Sequence, residues 1–76
     1  MDLETYRTSI GLSYTQLADL IDVRQAKQAR SYALGHSWPR STQLQKIIKA
    51  TKGAVTIEAM HKRRLDFLRH AELSVA

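Results

Sequence analysis

The smallest side chain in an otherwise apolar helical face, Ala18, constrains the fold of this chain more than any other feature of it. Ser13 is suited to cap a helix that carries Leu17, Ala18 and Ile21 on one side, and the apolar pattern stops at Asp22. A second helical run opens near Arg24 or Gln25, carries Ala29, Tyr32 and Ala33 inward, and ends at Gly35 with Pro39 shortly after. A second helix can cross close over the first only where a side chain is nearly absent, and Ala18 meets that condition. Two short helices and a tight turn are therefore expected within residues 12–39.

Helix, short turn and crossing helix make a helix-turn-helix, whose second member enters the DNA major groove. The stretch resembles the lambda-repressor-like proteins (Cro and phage C-repressors, the XRE type). There a Leu-Ala pair in the first helix precedes a Gly-Val turn and a Gly-x-x-x-Pro exit. The corresponding residues are Leu17-Ala18, Asp22-Val23 and Gly35-His36-Ser37-Trp38-Pro39. The later run Thr51-Lys52-Gly53-Ala54-Val55-Thr56 is similar to the segment after the fourth helix in the YdaS-type, Cro-like prophage regulators. Together these motifs span roughly residues 3–60.

The chain departs from that pattern in two places. Asp22 stands where the turn usually has glycine, which is tolerable because Asp and Asn enter the left-handed region more readily than other non-glycine residues. The spacing from Val23 to Ala29 and Tyr32 suits a turn one residue longer than usual, whereas the standard turn puts Gln28 and Ser31 inward. The longer turn is preferred, since burying an unpaired Gln side chain costs free energy.

A chain of 76 residues reads as one small domain with a limited core, so it must be economical or oligomeric. It has no cysteine, which leaves neither a disulfide framework nor a Cys-based zinc site as a staple. No apolar run approaches the ~20 residues of a membrane span, and no signal-peptide pattern opens the chain. The expected setting is the cytoplasm of a bacterial host, away from membranes.

The formal charge of +5 and the pI near 10.0 favour a polyanionic partner, and the distribution narrows the choice. Residues 1–23 set Arg7 against Asp2, Glu4, Asp19 and Asp22, a net −3. Residues 24–40 hold Arg24, Lys27, Arg30 and Arg40 without an acid, a net +4, and residues 41–76 also carry a net +4. The second helix of the pair and its exit loop thus lie within the one long acid-free stretch, which runs from Val23 to Ile57. A solvated basic face without a ligand is the competing reading of charge alone.

The remainder predicts an all-α bundle of about five helices. Asp2 caps a first helix over residues 2–10, with Glu4 in its first turn and Leu3, Tyr6 and Ile10 on one side, and Gly11 ends it. Ser41 or Thr42 caps a fourth helix with Leu44, Ile47, Ile48 and Thr51 facing the core, and Lys46, Lys49 and Lys52 exposed. Gly53 is its expected C-cap. Thr56 caps a fifth helix with Glu58 in its first turn, running to about Glu72, and residues 73–76 are expected to fray. Ile57 and Met60 complete the core. Leu65, Phe67 and Leu68 then either form a dimer interface, making 61–76 a dimerisation or tail helix, or fold back on the fourth helix. The run His61-Lys62-Arg63-Arg64 reads as a solvated face or as a nucleic-acid patch.

Base-edge contacts choose a DNA sequence and phosphate contacts hold register. Gln25 and Gln28 suit an adenine edge, Arg30 and Lys27 suit guanine, Ser31 suits either, and Ala26 suits a thymine methyl. Carried over from the family, the reading positions are Gln25, Ala26, Lys27 and Arg30 with the standard turn, or Ala26, Lys27, Gln28 and Ser31 with the longer one. Phosphate contacts are expected from Tyr14 or Thr15 at the start of the first helix of the pair, and from Arg24, His36, Ser37 and Arg40. Trp38 either packs under the exit loop or lies against a sugar-phosphate strand.

Catalysis needs an acid, base or nucleophile held in a pocket. His36 falls on a loop, His61 on a basic helix and His70 near the end of the chain; the last two, nine residues apart, do not have the i, i+4 spacing of a helical zinc pair. The chain is therefore not expected to be an enzyme or to carry a metal or cofactor. The sequence implies a regulator of transcription, a phage- or mobile-element-type repressor that binds double-stranded DNA as a homodimer on an inverted repeat. The alternative is a helix-turn-helix module that binds protein, either a cognate toxin or, through Asp19 and Asp22, RNA polymerase.

Overall fold

The computed structural model describes the backbone of residues 1–75 and the side chains of residues 1–70. It is all-helical: α1 Leu3–Ser9, α2 Tyr14–Leu20, α3 Ala26–Leu34, α4 Ser41–Ala50 and α5 Ile57–Val75. No helix among the described residues is long and apolar enough to cross a membrane.

Each short helix is started by a residue suited to the task. The Asp2 carboxylate accepts the Thr5 N–H at 2.8 Å, and Ser13 and Gln16 form a reciprocal capping box on α2. Burial alone would raise the Asp2 carboxyl, but the Thr5 bond and the Arg63 guanidinium outweigh it and hold it below the usual carboxylate range. The α2–α3 turn passes through Asp22 at φ 60°, the left-handed conformation expected of it, and α3 ends at Gly35 at φ 80°. Lys46 Nζ donates to the Asp22 carboxylate at 2.8 Å, which ties α4 to the turn and lowers the Asp22 pKa.

The core gathers Leu3 from α1, Leu17, Ala18 and Ile21 from α2 and its end, Val23, Ala29 and Ala33 from α3, Ile47, Val55 and Met60. The two alanines of α3 and Ala18 of α2 are all buried, so these helices meet through small side chains. Thr51 is the one buried polar side chain among the described residues. Its hydroxyl donates to the Ile47 carbonyl at 2.9 Å and accepts the Val55 N–H at 3.3 Å, which satisfies it without water.

Several expectations need correction. Ile10 is exposed as the C-cap of α1 instead of facing the core. The N-cap of α4 is Arg40, without a side-chain cap bond, because the helix begins at Ser41. Its C-cap is Thr51, and the left-handed residues Lys52 and Gly53 carry the reversal that follows. That reversal puts Val55 into the core, where it fills the place expected for Ile57. Ile57 stays 49% exposed on the rim. The fifth helix runs through Val75, past Glu72 and through most of the segment expected to fray; Ala76 lies outside the described residues.

Candidate nucleic-acid interface

The register of α3 follows from what it buries. Ala29 and Ala33 are fully inside, Tyr32 is half-buried, and Gln28 is exposed, which is the inward set of the longer turn. At 3.6 residues per turn, the side opposite Ala29 and Ala33 carries Lys27 and Ser31, flanked by Gln28 and Arg30. Gln25 precedes the helix as its exposed N-cap, in extended conformation and without a cap bond. Ala26 is half-buried at the first helical position. The Gln28 amide donates to the Tyr32 hydroxyl at 2.9 Å, which steadies it along the helix surface.

Some cations outside this segment are committed within the domain, while Lys49, Lys52, Lys62 and Arg69 are exposed and enter no ion pair among the described residues. Arg7 pairs with Glu4 and donates to the Leu12 carbonyl at 2.8 Å; Lys46 pairs with Asp22, and Arg63 with Asp2 at 3.3 Å. Arg64 donates to the Gly35 carbonyl at 2.8 Å. No ion pair among the described residues involves Arg24, Lys27, Arg30 or Arg40, and all four are exposed. Arg24 lies in the bend before α3, and Arg40 at the start of α4, so the two flank α3 and its exit loop along the chain.

The start of α2 is the second part of the expected phosphate site. The capping box takes the Gln16 N–H, and helix geometry leaves those of Tyr14 and Thr15 without intrahelical partners. Thr15 is exposed. The Tyr14 hydroxyl, expected to be available to phosphate, gives its single proton to Glu4 Oε2 at 2.7 Å, and the Arg7 guanidinium lies 4.2 Å from its ring centre. Burial, then the Glu4 carboxylate, push the Tyr14 phenol up, and the charges of Arg7 and Arg30 offset part of this. Arg30 of α3 is thus electrostatically close to the head of α2.

The exit loop is held by α5. His36 is exposed, yet its ring centre is 4.5 Å from that of Phe67, and half-buried Ser37 donates its N–H to the Ser31 carbonyl at 3.3 Å. Trp38 does not pack under its own loop: it is 39% exposed and stands edge-on to His61 at 6.1 Å. Pro39 is the loop residue that is buried.

Two groupings expected from the sequence come apart here. Phe67 turns inward with Met60, Arg63 and Arg64, at i, i+3, i+4 and i+7 of one face, and meets the exit loop instead of α4. Leu65 (48% exposed) and Leu68 (41%) lie on a different side of α5, with Ile57 and His61. Within the basic run, Arg63 and Arg64 are neither a solvated face nor free for phosphate, because each is half-buried and bonded inside the domain. The Glu4–Arg7–Tyr14 cluster escapes a reading of the sequence, although the i, i+3 spacing of Glu4 and Arg7 is a visible signal for its first half. Asp22 and Asp19, the two acids expected to form a polymerase-facing pair, are both exposed, and Asp22 is paired with Lys46.

Compared with protein-family models, with curated proteins and with solved structures, the chain matches none of them. Architecture and surface chemistry therefore carry the functional argument: a small all-α bundle in which α3 and its flanks are basic and hold no acid.

Proposed function

We propose that this chain is a sequence-specific double-stranded DNA-binding domain of the lambda-repressor-like, Cro-like type, acting as a transcriptional regulator in a bacterial cytoplasm. The observation that supports this reading best is the α3 segment with its flanks, where Arg24, Lys27, Arg30 and Arg40 are exposed without an ion pair and no acid lies between them in the chain, while Arg7, Arg63 and Arg64 are committed inside the domain. A cation left without an acid is one able to replace the counterions of a phosphate backbone. In this reading α3 enters the major groove. Lys27, Gln28 and Ser31 face the base edges, with Arg30 and Ala26 beside them and Gln25 at the mouth of the groove. Arg24, Arg40 and Thr15 grip phosphates around it, joined by the exposed edges of His36, Ser37 and Trp38. Tyr14 serves by orienting Glu4 and Arg7 instead of donating to DNA.

A single module buries too little surface for high specificity, so a homodimer on an inverted repeat is proposed, with α3 helices ~34 Å apart. Its interface is the Leu65 and Leu68 side of α5. Selection of bound fragments from the source genome, followed by footprinting, tests the model; paired, inverted sites are expected, and recovery of no repeated site refutes it. The same exposed leucines favour a second reading, a module that binds a protein such as a toxin or RNA polymerase. That reading expects no retention on heparin and no shift of random duplex DNA.

A further inference from the structure

One side of α3 is packed on α2, where the buried Ala18, Ala29 and Ala33 let the two helices approach closely beside Leu17 and Ile21. Base readout also requires the helix ends to be fixed, since a recognition group must be held within about 0.5 Å and 10–20° of its working geometry. The far end of α3 supplies a second anchor. Gly35, its C-cap, is buried against the backbone of α5 so closely that an added Cβ would lie 2.9 Å from the Arg63 carbonyl oxygen and 3.1 Å from the Arg64 Cα. Arg64 Nη1 then donates to the Gly35 carbonyl at 2.8 Å. A cation on a carbonyl at a helix C-terminus is favoured both by charge-assisted hydrogen bonding and by the helix dipole. The Phe67–His36 and His61–Trp38 ring contacts continue the same seam one turn to either side.

We infer that Arg64 is a positioning residue for α3: by holding the Gly35 carbonyl it sets the angle at which α3 is presented to DNA, and it touches no DNA itself. The inference rests on the reading of α3 as the helix that enters the groove. It assigns to α5 a part in sequence discrimination that its basic run does not reveal.

The test uses the full chain and a duplex that the wild-type protein selects from a random library. Binding to the selected duplex and to random duplex is measured across a salt series for wild type, Arg64→Gln and Arg64→Lys. The preference for the selected duplex should fall about tenfold in Arg64→Gln, the equivalent of one charge-assisted bond. It should fall less in Arg64→Lys, which keeps the charge but not the planar fork. The slope of log K against log salt should stay unchanged, and the His36 amide, which donates to the Ser31 carbonyl at 2.9 Å, should exchange faster with solvent. A substitution that merely unfolded part of the sample would weaken both duplexes equally and leave the preference intact, overturning the positioning role. So would a fall of ~0.9 in the salt slope, which would mean that Arg64 neutralises a phosphate directly. A wild-type chain that selects no duplex overturns the DNA reading itself, and the inference with it, so the two failures are told apart.

Discussion

Lys27 and Arg40 are both exposed and unpaired, but they stand at different places: one on the outer side of α3, the other at the start of α4. Lys27→Ala is expected to weaken a selected site by about 1–3 kcal/mol and to relax preference at one position of each half-site. Arg40→Ala should weaken all duplexes about equally and lower the salt slope by ~0.9 for each phosphate that the guanidinium neutralises. Competition binding with selected and random duplexes reads both effects; specificity surviving the first change but not the second would place the reading helix elsewhere. A second contrast concerns glycine. Gly35 and Gly53 share nearly the same left-handed φ, 80° and 81°, yet an added Cβ meets α5 backbone at the first and nothing within 4 Å at the second. Each Gly→Ala change should cost about 1–2 kcal/mol for the backbone conformation alone. Only Gly35→Ala should cost clearly more, measured as a larger drop in the midpoint of urea unfolding. Equal drops would mean that the α5 seat yields freely.

Among the elements, α1 and α5 are joined through Asp2, which caps one helix and pairs with Arg63 of the other. Its folded pKa is lowered, so the stability it contributes is fully present above the ordinary aspartate range, about pH 4, and is lost as pH falls through the depressed value. Asn at the same position still caps the helix but cannot titrate. Asp2→Asn should therefore be less stable than wild type at neutral pH and should lose less stability as the pH falls from neutrality into the acid range where the carboxylate is protonated. Urea unfolding at several pH values measures both, and an unaltered acid slope would assign the acid sensitivity to other carboxylates. The other charged contact between elements, Lys46 with Asp22, is exposed on both sides and is worth less for that reason.

At the scale of the whole molecule, the α5 face bearing Leu65 and Leu68 is an apolar surface that the domain itself leaves open, with Ile57 on the same side of the helix. Leu65→Glu with Leu68→Glu should leave the helical content intact, convert the proposed dimer to monomer by light scattering, and weaken binding to an inverted repeat more than to a half-site. Persistence of the dimer would place the interface on another surface. Cutting the chain after His61 is a poorer test, because it also removes Arg63, Arg64 and Phe67, which hold the ends of α1 and α3.

Local signals carried much of the architecture. Asp2, Ser13 and Thr56 sit at the helix starts expected of them, Asp22 and Gly35 take the left-handed conformations their residue types suit, and the inward set Leu17, Ala18, Ile21, Ala29 and Ala33 follows from periodicity together with the cost of burying Gln28. These are determined within a turn or two of chain, so sequence alone suffices. The basic character of the 24–40 segment was legible in the same way. What long-range packing decided lay beyond that reach. Whether Val55 or Ile57 fills the core depends on how sharply the chain reverses at Gly53. Whether Tyr14 keeps its proton for a ligand depends on Glu4, ten residues away. Whether Arg63 and Arg64 face solvent depends on partners 61 and 29 residues distant in the chain. A charge's neighbours along the sequence say how basic a stretch is, but only the folded contacts decide which of those charges are already satisfied and which remain for a partner.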